Sequence, residues 1–300
     1  MNKLYFKIVL IGIVFLSISC EEKIELDIPN QTPRMVVQGV LSPGENPVID
    51  LRKSYTIAER IIDEHMNMQQ IYFPDLRLYK DNQLVASFVV NPLDPFSYSL
   101  NYNNFKVGEK YVLRGSAKNF PDIYAETVIP SKPNVYITNF EYSSISSNDY
   151  KFSLKINIQD NPDEENYYAY TLVSNNQYYP FYYTNYEGES NNQQDPSITQ
   201  INYEFYVNDK LFNGKLKTIL LDQFGYMINN WGFKAQETFW IECRSITKDY
   251  YDYKISTNKQ GNNDFDIFAE PVLIKHNITG GFGVLGSSNI QRYPLTIQTK

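Results

Sequence analysis

Leu76-Arg77-Leu78-Tyr79-Lys80-Asp81-Asn82-Gln83-Leu84-Val85-Ala86-Ser87-Phe88-Val89-Val90 is the stretch whose pattern decides the fold. Apolar and polar residues alternate from Leu76 to Tyr79, a polar turn follows at Lys80–Gln83, and Leu84 to Val90 returns. A period of two on both sides of a turn is the signature of a β-hairpin. Outward from it, Met35 to Leu41 reads as a strand stopped by Ser42-Pro43-Gly44, and Val48 to Leu51, Tyr111 to Gly115 and Tyr124 to Ile129 follow. Short strands with turn signals every few residues predict a sandwich. The 26 Tyr and 18 Phe agree, because aromatic side chains favour the pleated surface.

Pro130-Ser131-Lys132-Pro133 marks an extended linker after a strand. Beyond it, Tyr136 to Tyr142, Tyr150 to Ile158, Tyr167 to Val173, Tyr203 to Val207, Lys217 to Leu221 and Glu237 to Ser245 carry strand patterns. The polar stretch Glu187 to Thr199 reads as a long exposed loop. Helical spacing is confined to Ile246–Asn258, through Ile246, Tyr250, Tyr253 and Lys254, and to a weaker stretch at Ala58–Met68. The expected fold is mainly all-β: two immunoglobulin-like β-sandwich domains, residues 34–130 and 134–300, with one or two short helices.

The N-terminus has the three regions of a secretory signal peptide: basic Lys3 and Lys7, an apolar run from Ile8 to Leu16, and small residues up to Cys20. The apolar run is shorter than the roughly 20 residues needed to span a bilayer. Leu16-Ser17-Ile18-Ser19-Cys20 resembles a lipobox, with Ser17 standing where Leu is usual, so Cys20 is the expected lipidation site. Residues 1–19 are then a leader and residues 20–33 a lipidated tether. No Asp directly follows Cys20, and acidic Glu21 and Glu22 resemble the surface-export signal of bacterial lipoproteins, a resemblance that implies the outer membrane and its surface. The formal charge of −7 becomes −9 once the two leader lysines are removed, which leaves no electrostatic footprint for nucleic acid. With Cys20 acylated, Cys243 has no disulfide partner, and its apolar setting Phe239-Trp240-Ile241-Glu242-Cys243 predicts a buried inert thiol.

No constellation in the sequence points to catalysis, and the expectation is a protein that is not an enzyme and carries no cofactor. His65 and His276 are the two histidines, neither beside a nucleophile motif, and no G-x-S-x-G elbow occurs. No spaced ligand pairs suggest zinc. Asp160-Asn161-Pro162-Asp163-Glu164-Glu165 lacks the spacing of a calcium-binding EF-hand, so a solvated acidic turn is expected and no metal site is assigned. Gly280-Gly281-Phe282-Gly283-Val284-Leu285-Gly286 is not followed by the helix of a phosphate loop, and reads as a place of close backbone approach. The suggestive surface feature is a run of aromatics. Tyr178, Tyr179, Phe181, Tyr182, Tyr183 and Tyr186, with Tyr167, Tyr168 and Tyr170 before them, cannot all enter one core if strand neighbours face opposite sides. Some are expected at the surface, where Tyr stacks on sugars or anchors a protein partner.

Five segments stand out together: Ser19-Cys20-Glu21-Glu22 with Pro33-Arg34-Met35-Val36-Val37-Gln38-Gly39, then Tyr124-Ala125-Glu126-Thr127-Val128-Ile129-Pro130, then Asp160-Asn161-Pro162 with Asn166-Tyr167-Tyr168. Asp209-Lys210-Leu211-Phe212-Asn213-Gly214 joins them, as does the ending Phe268-Ala269-Glu270-Pro271 with Asn277-Ile278-Thr279-Gly280-Gly281-Phe282-Gly283. In these segments the chain resembles an uncharacterised family of Bacteroidota lipoproteins of about this length. The resemblance implies genes beside TonB-dependent outer-membrane receptors, hence an accessory or binding role in nutrient uptake, and it lends no catalytic residues. A structural or adhesive surface protein without a small ligand is the competing reading.

Overall fold

The computed structural model describes residues 32–55, 70–144, 150–174, 177–179, 182–183, 195–202, 204–224, 238–263 and 270–296. The first half contributes β1 (Met35–Leu41), β2 (Val48–Lys53), β3 (Asp75–Lys80), β4 (Gln83–Ser87), β5 (Val89–Asn91), β6 (Asp94–Ser99), β7 (Lys110–Ser116) and β8 (Ile123–Val128). The second contributes β9 (Val135–Ser144), β10 (Tyr150–Gln159), β11 (Tyr167–Ser174), β12 (Gln177–Tyr179), β13 (Tyr182–Tyr183), β14 (Ile198–Ile201), β15 (Glu204–Asn208), β16 (Leu216–Phe224) and β17 (Thr238–Ile246). Helix α1 (Lys248–Asn263) and the long strand β18 (Phe282–Thr296) close the chain. The protein is all-β with sandwich architecture, as the strand spacing predicts.

Alternation explains the core directly. In β1 the burial pattern puts Met35, Val37, Gly39 and Leu41 inward, and in β7 Tyr111, Leu113 and Gly115. Burying one such aliphatic side chain contributes about 1.5–3 kcal/mol. The sheet β4-β3-β7-β8 covers the β1–β2–β6–β5 portion of a ten-stranded sheet, enclosing Met35, Ile49, Leu76, Leu78, Leu113 and their neighbours. The sheet β13-β16-β10-β9 covers the other portion, around Leu154, Ile156, Tyr170, Phe205, Ile241 and Cys243.

One strand belongs to both sandwiches. The first part of β18 runs parallel to β1, from Val36 opposite Phe282 to Leu41 opposite Ser287. Its second part runs antiparallel to β17, from Ile246 opposite Ser288 to Thr238 opposite Thr296. The expected unit 134–300 therefore does not hold all its residues on its own side: Ile278 and Leu285 sit in the core of residues 35–129. At the crossing, Thr127 Oγ1 donates to Ser287 Oγ (3.0 Å), Ser287 Oγ donates to the Val128 carbonyl (2.5 Å), and Asn289 Nδ2 donates to the Pro130 carbonyl (3.0 Å).

Four local expectations change. Leu84 to Val90 is two strands in different sheets, because the chain switches at buried Phe88, whose N–H is held by the Leu76 carbonyl at 2.9 Å. The helix begins at Lys248 and runs through Gly261, while Ile246 is strand. Residues 195–199 of the expected loop are ordered around buried Ser197 and Ile198, with Asp195 paired to Lys217. Tyr167, expected among residues with exposed alternates, is buried together with Tyr168 and Tyr170. Both faces of β11 are covered: Tyr168 and Tyr170 enter the sandwich, and Tyr167 packs with Tyr206 and Tyr251 on the helix side. The stretch Ala58–Met68 lies outside the described residues.

Candidate binding surfaces

Strand β18 sets the distance between the two ends of the molecule. Residue 33 leads into β1 beside Phe282, at one pole of the first sandwich. At the far end, Tyr178 of β12 pairs with Val173, which pairs with Trp240, which pairs with Pro294. Tyr179 continues through Leu172 and Ile241 to Tyr293 in the same way. Twelve residues separate Phe282 from Pro294, about 40 Å at roughly 3.3 Å per residue. Tyr182 and Tyr183 lie in β13, opposite Asp222 and Leu221 of β16, so the aromatic run crosses from the ten-stranded sheet to the facing one. It thus places backbone positions on the edges of both sheets at the end away from residue 33. Cys20, Phe181 and Tyr186 lie outside the described residues.

A second surface escaped the sequence reading. Asp75, Arg77 and Tyr79 of β3, Arg114 and Ser116 of β7 and Tyr124 of β8 line a shallow groove of about 300 Å³ on the outer face of the first sandwich. The Arg114 guanidinium lies 4.6 Å over the Tyr79 ring, and its Nη2 donates to Asn82 Oδ1 at 3.1 Å. Arg77 Nε donates to Asp75 Oδ1 (2.8 Å), and the Tyr124 hydroxyl donates to Glu126 Oε2 (2.9 Å). That last bond, followed by partial desolvation, holds the Tyr124 hydroxyl above its usual pKa. Each residue is ordinary in its own segment, and only strand pairing assembles them. The usable signal was the outward parity of Arg77, Tyr79, Arg114 and Tyr124 beside an inward apolar set.

A third concavity, about 590 Å³, lies at the junction between Pro43, Gly44, Glu45, Lys132 and Ile290–Arg292. Its Glu45 and Arg292 are paired with each other and with the strands behind. Arg292 reaches Glu45 (3.2 Å) and Glu242 (2.8 Å), and Arg244 bonds Glu242 (2.6 Å) and Glu204 (3.0 Å). A fourth, about 520 Å³, opens at the pole of residue 33, between Pro33, Lys53, Gln70–Phe73 and Lys118–Phe120.

The groups with chemical potential are tied into structure. Cys243 is fully buried and burial pushes its thiol well above the usual value, which suppresses the nucleophilic thiolate. His276 packs edge-on against Phe282 at 5.6 Å. In the acidic turn, Asp160 accepts from the Tyr168 hydroxyl (2.7 Å) and from the Gly214 N–H (2.8 Å), and Asn161 caps the turn through Asp163 N–H (3.2 Å). Among the described residues no three His, Cys, Asp or Glu side chains cluster in a way that would hold a metal ion. No helix of the described residues is long and apolar enough to cross a membrane.

The sequence matches, over residues 21–293, the family described as Domain of unknown function (DUF4249). The chain belongs to the DUF4249 family. No curated protein matches this DUF4249 sequence. Among solved structures it is similar to a Salmonella alpha-2-macroglobulin variant (12% identity, TM-score 0.23), covering 92% of this chain and 16% of that one. It is also similar to Dpr2 Ig1-Ig2 in complex with DIP-Theta Ig1-Ig3 (10% identity, TM-score 0.18; 73% and 58% covered). A third is the Enterococcus faecalis MSCRAMM ACE, described as binding its ligands by the collagen Hug model (10% identity, TM-score 0.17; 84% and 93% covered). This DUF4249 chain thus spans less than a fifth of the alpha-2-macroglobulin's length, and the fold described above rests on its own strand pairings.

Proposed function

We propose that this DUF4249 protein is a lipid-anchored binding protein of the outer membrane, an accessory partner of a TonB-dependent nutrient receptor, with no catalytic role. The anchor is the lipidated Cys20, and the partner surface is the aromatic edge carried by β12 and β13. The observation that carries this reading is the separation just described. The strand that receives the chain next to residue 33 ends beside the rows of Tyr178 and Tyr179, about 40 Å away. A tether at one end and an aromatic edge at the other suit a protein that stands on a membrane and presents a surface to a partner. Tyr is well fitted to that role, combining large apolar area with a polar tip. The leader that stops just before Cys20 and the resemblance to receptor-linked lipoproteins support the same reading.

The test is affinity capture of the lipidated protein from its native outer membrane, followed by mass spectrometry. Stoichiometric recovery of a TonB-dependent receptor is expected, and Tyr178→Ser with Tyr179→Ser, Tyr182→Ser and Tyr183→Ser should lower that recovery at least about tenfold. Recovery of the lipoprotein alone, under detergents that preserve known receptor complexes, would overturn the partnership and favour the adhesive reading.

A further inference from the structure

The pole where residue 33 enters carries a surface that a merely spaced domain has no use for. Phe73 is 96% exposed and Tyr72 67% exposed, side by side just before β3. Ile71 behind them is buried, and its carbonyl accepts the Tyr98 hydroxyl at 3.5 Å, so the pair projects from a fixed base. Phe73 has φ of 52°, a left-handed conformation that bulky residues avoid. Lys53 and Lys118 line the same concavity with Pro33 and Phe120. Exposed Arg34 stands next to it, its guanidinium 5.3 Å over the ring of Phe282. Three cations gather here on a chain whose formal charge is −7.

From this we propose that the pole is a membrane-docking surface: Lys53, Lys118 and Arg34 meet anionic lipid headgroups while Tyr72 and Phe73 enter the boundary between headgroups and acyl chains. Aromatic rings settle at that level and basic side chains are drawn to an anionic leaflet. The occupant follows from the chain outside the described residues. From Cys20 to Pro33 the path is 13 residues, which cannot exceed about 45 Å even fully extended, so an acyl group on Cys20 holds this pole, where the tether enters, within that distance of the bilayer. The inference therefore rests on the lipidation reading above. Docking would fix the orientation of β18 and hold the aromatic edge of β12 and β13 away from the membrane.

The test uses the lipidated full chain reconstituted in vesicles of phosphatidylethanolamine and phosphatidylglycerol with brominated acyl chains. Phe73→Trp places a reporter at the pole, Leu211→Trp places one in an exposed turn of the second sandwich, and the parent with its two tryptophans gives the baseline. Both changes are at exposed positions, and circular dichroism checks that they fold. Quenching of the indole emission added by Phe73→Trp by at least about twofold, with the emission added by Leu211→Trp unquenched, is expected. Lys53→Glu with Lys118→Glu should reduce that quenching, as should raised salt. Equal emission from both reporters in a protein that floats with the vesicles would overturn docking and leave the anchor intact. A Cys20 peptide without an acyl mass would overturn both.

Discussion

Glu242 lies almost wholly inside the protein, on β17, with both carboxylate oxygens occupied. Arg244 Nε donates to Oε1 at 2.6 Å and Arg292 Nε to Oε2 at 2.8 Å. Burial raises the carboxyl pKa, but the two guanidinium groups outweigh it and hold the group below its usual range. A depressed folded-state pKa means stability that is fully present above the unfolded value of about 4.3 and is lost as pH falls through the folded value. Glu242→Gln should cost about 1–3 kcal/mol at neutral pH, at the low end for a broken buried pair because Arg292 is half exposed. Its stability should also fall less steeply than the parent's below pH about 4, and urea titrations at neutral and acid pH measure both effects. Cys243 offers a second check at this scale. The native protein should not react with a thiol reagent, and the denatured mature protein should titrate with one equivalent if Cys20 is acylated as proposed, because an acylated cysteine has no thiol. Two equivalents would contradict lipidation.

Gly283 shows why a strand shared by two sandwiches needs its glycines. With φ of 97° it lies where side-chain-bearing residues rarely go, and an added Cβ would fall 1.9 Å from the Val37 carbonyl oxygen. Gly283→Ala should therefore cost about 3 kcal/mol or more, through loss of the parallel β1–β18 pairing, measurable as a lowered denaturant midpoint. The glycine cluster was legible as close backbone approach because no phosphate-loop helix could follow it. Its role in joining two halves was not, since nothing local to Gly280–Gly286 encodes a partner some 245 residues earlier. The same limit appears elsewhere. Alternation revealed β3 and β4, but the jump to another sheet depends on Phe88 filling a core made by distant strands. Parity correctly separated Tyr167 from Tyr168, yet the helix that buries Tyr167 belongs to residues 248–263. The aromatic run was legible as composition, whereas its division between β12 and β13 arises from the pairing partners Leu172–Ser174 and Leu221–Asp222. For Tyr79, Arg114 and Tyr124 the outward parity was legible, but their meeting in one groove was not, because they come from three strands.

At the level of the whole molecule, the shared strand makes the first sandwich dependent on the end of the chain. Without β18 and the residues that lead into it, β1 loses its parallel neighbour from Val36 to Leu41, and the core loses Ile278 and Leu285. An open hydrophobic edge of that kind invites pairing with another strand. The asparagine just before β18 strengthens the dependence: Asn277 Oδ1 accepts the Leu285 N–H at 3.0 Å and its Nδ2 donates to the Leu285 carbonyl at 2.9 Å, closing the segment on itself. A fragment of residues 32–130 is therefore expected to lack a cooperative melt and dispersed amide resonances. Adding a peptide of residues 275–290 in trans should restore both, by the strand-donation chemistry that edge strands permit. The full chain should unfold in one transition by tryptophan fluorescence and far-ultraviolet circular dichroism, since β18 cannot leave one sheet without straining the other. Cooperative folding of the fragment alone would show that β18 only decorates the first sandwich. Rescue by the peptide would instead show that the first sandwich is completed by the strand that also runs through the second.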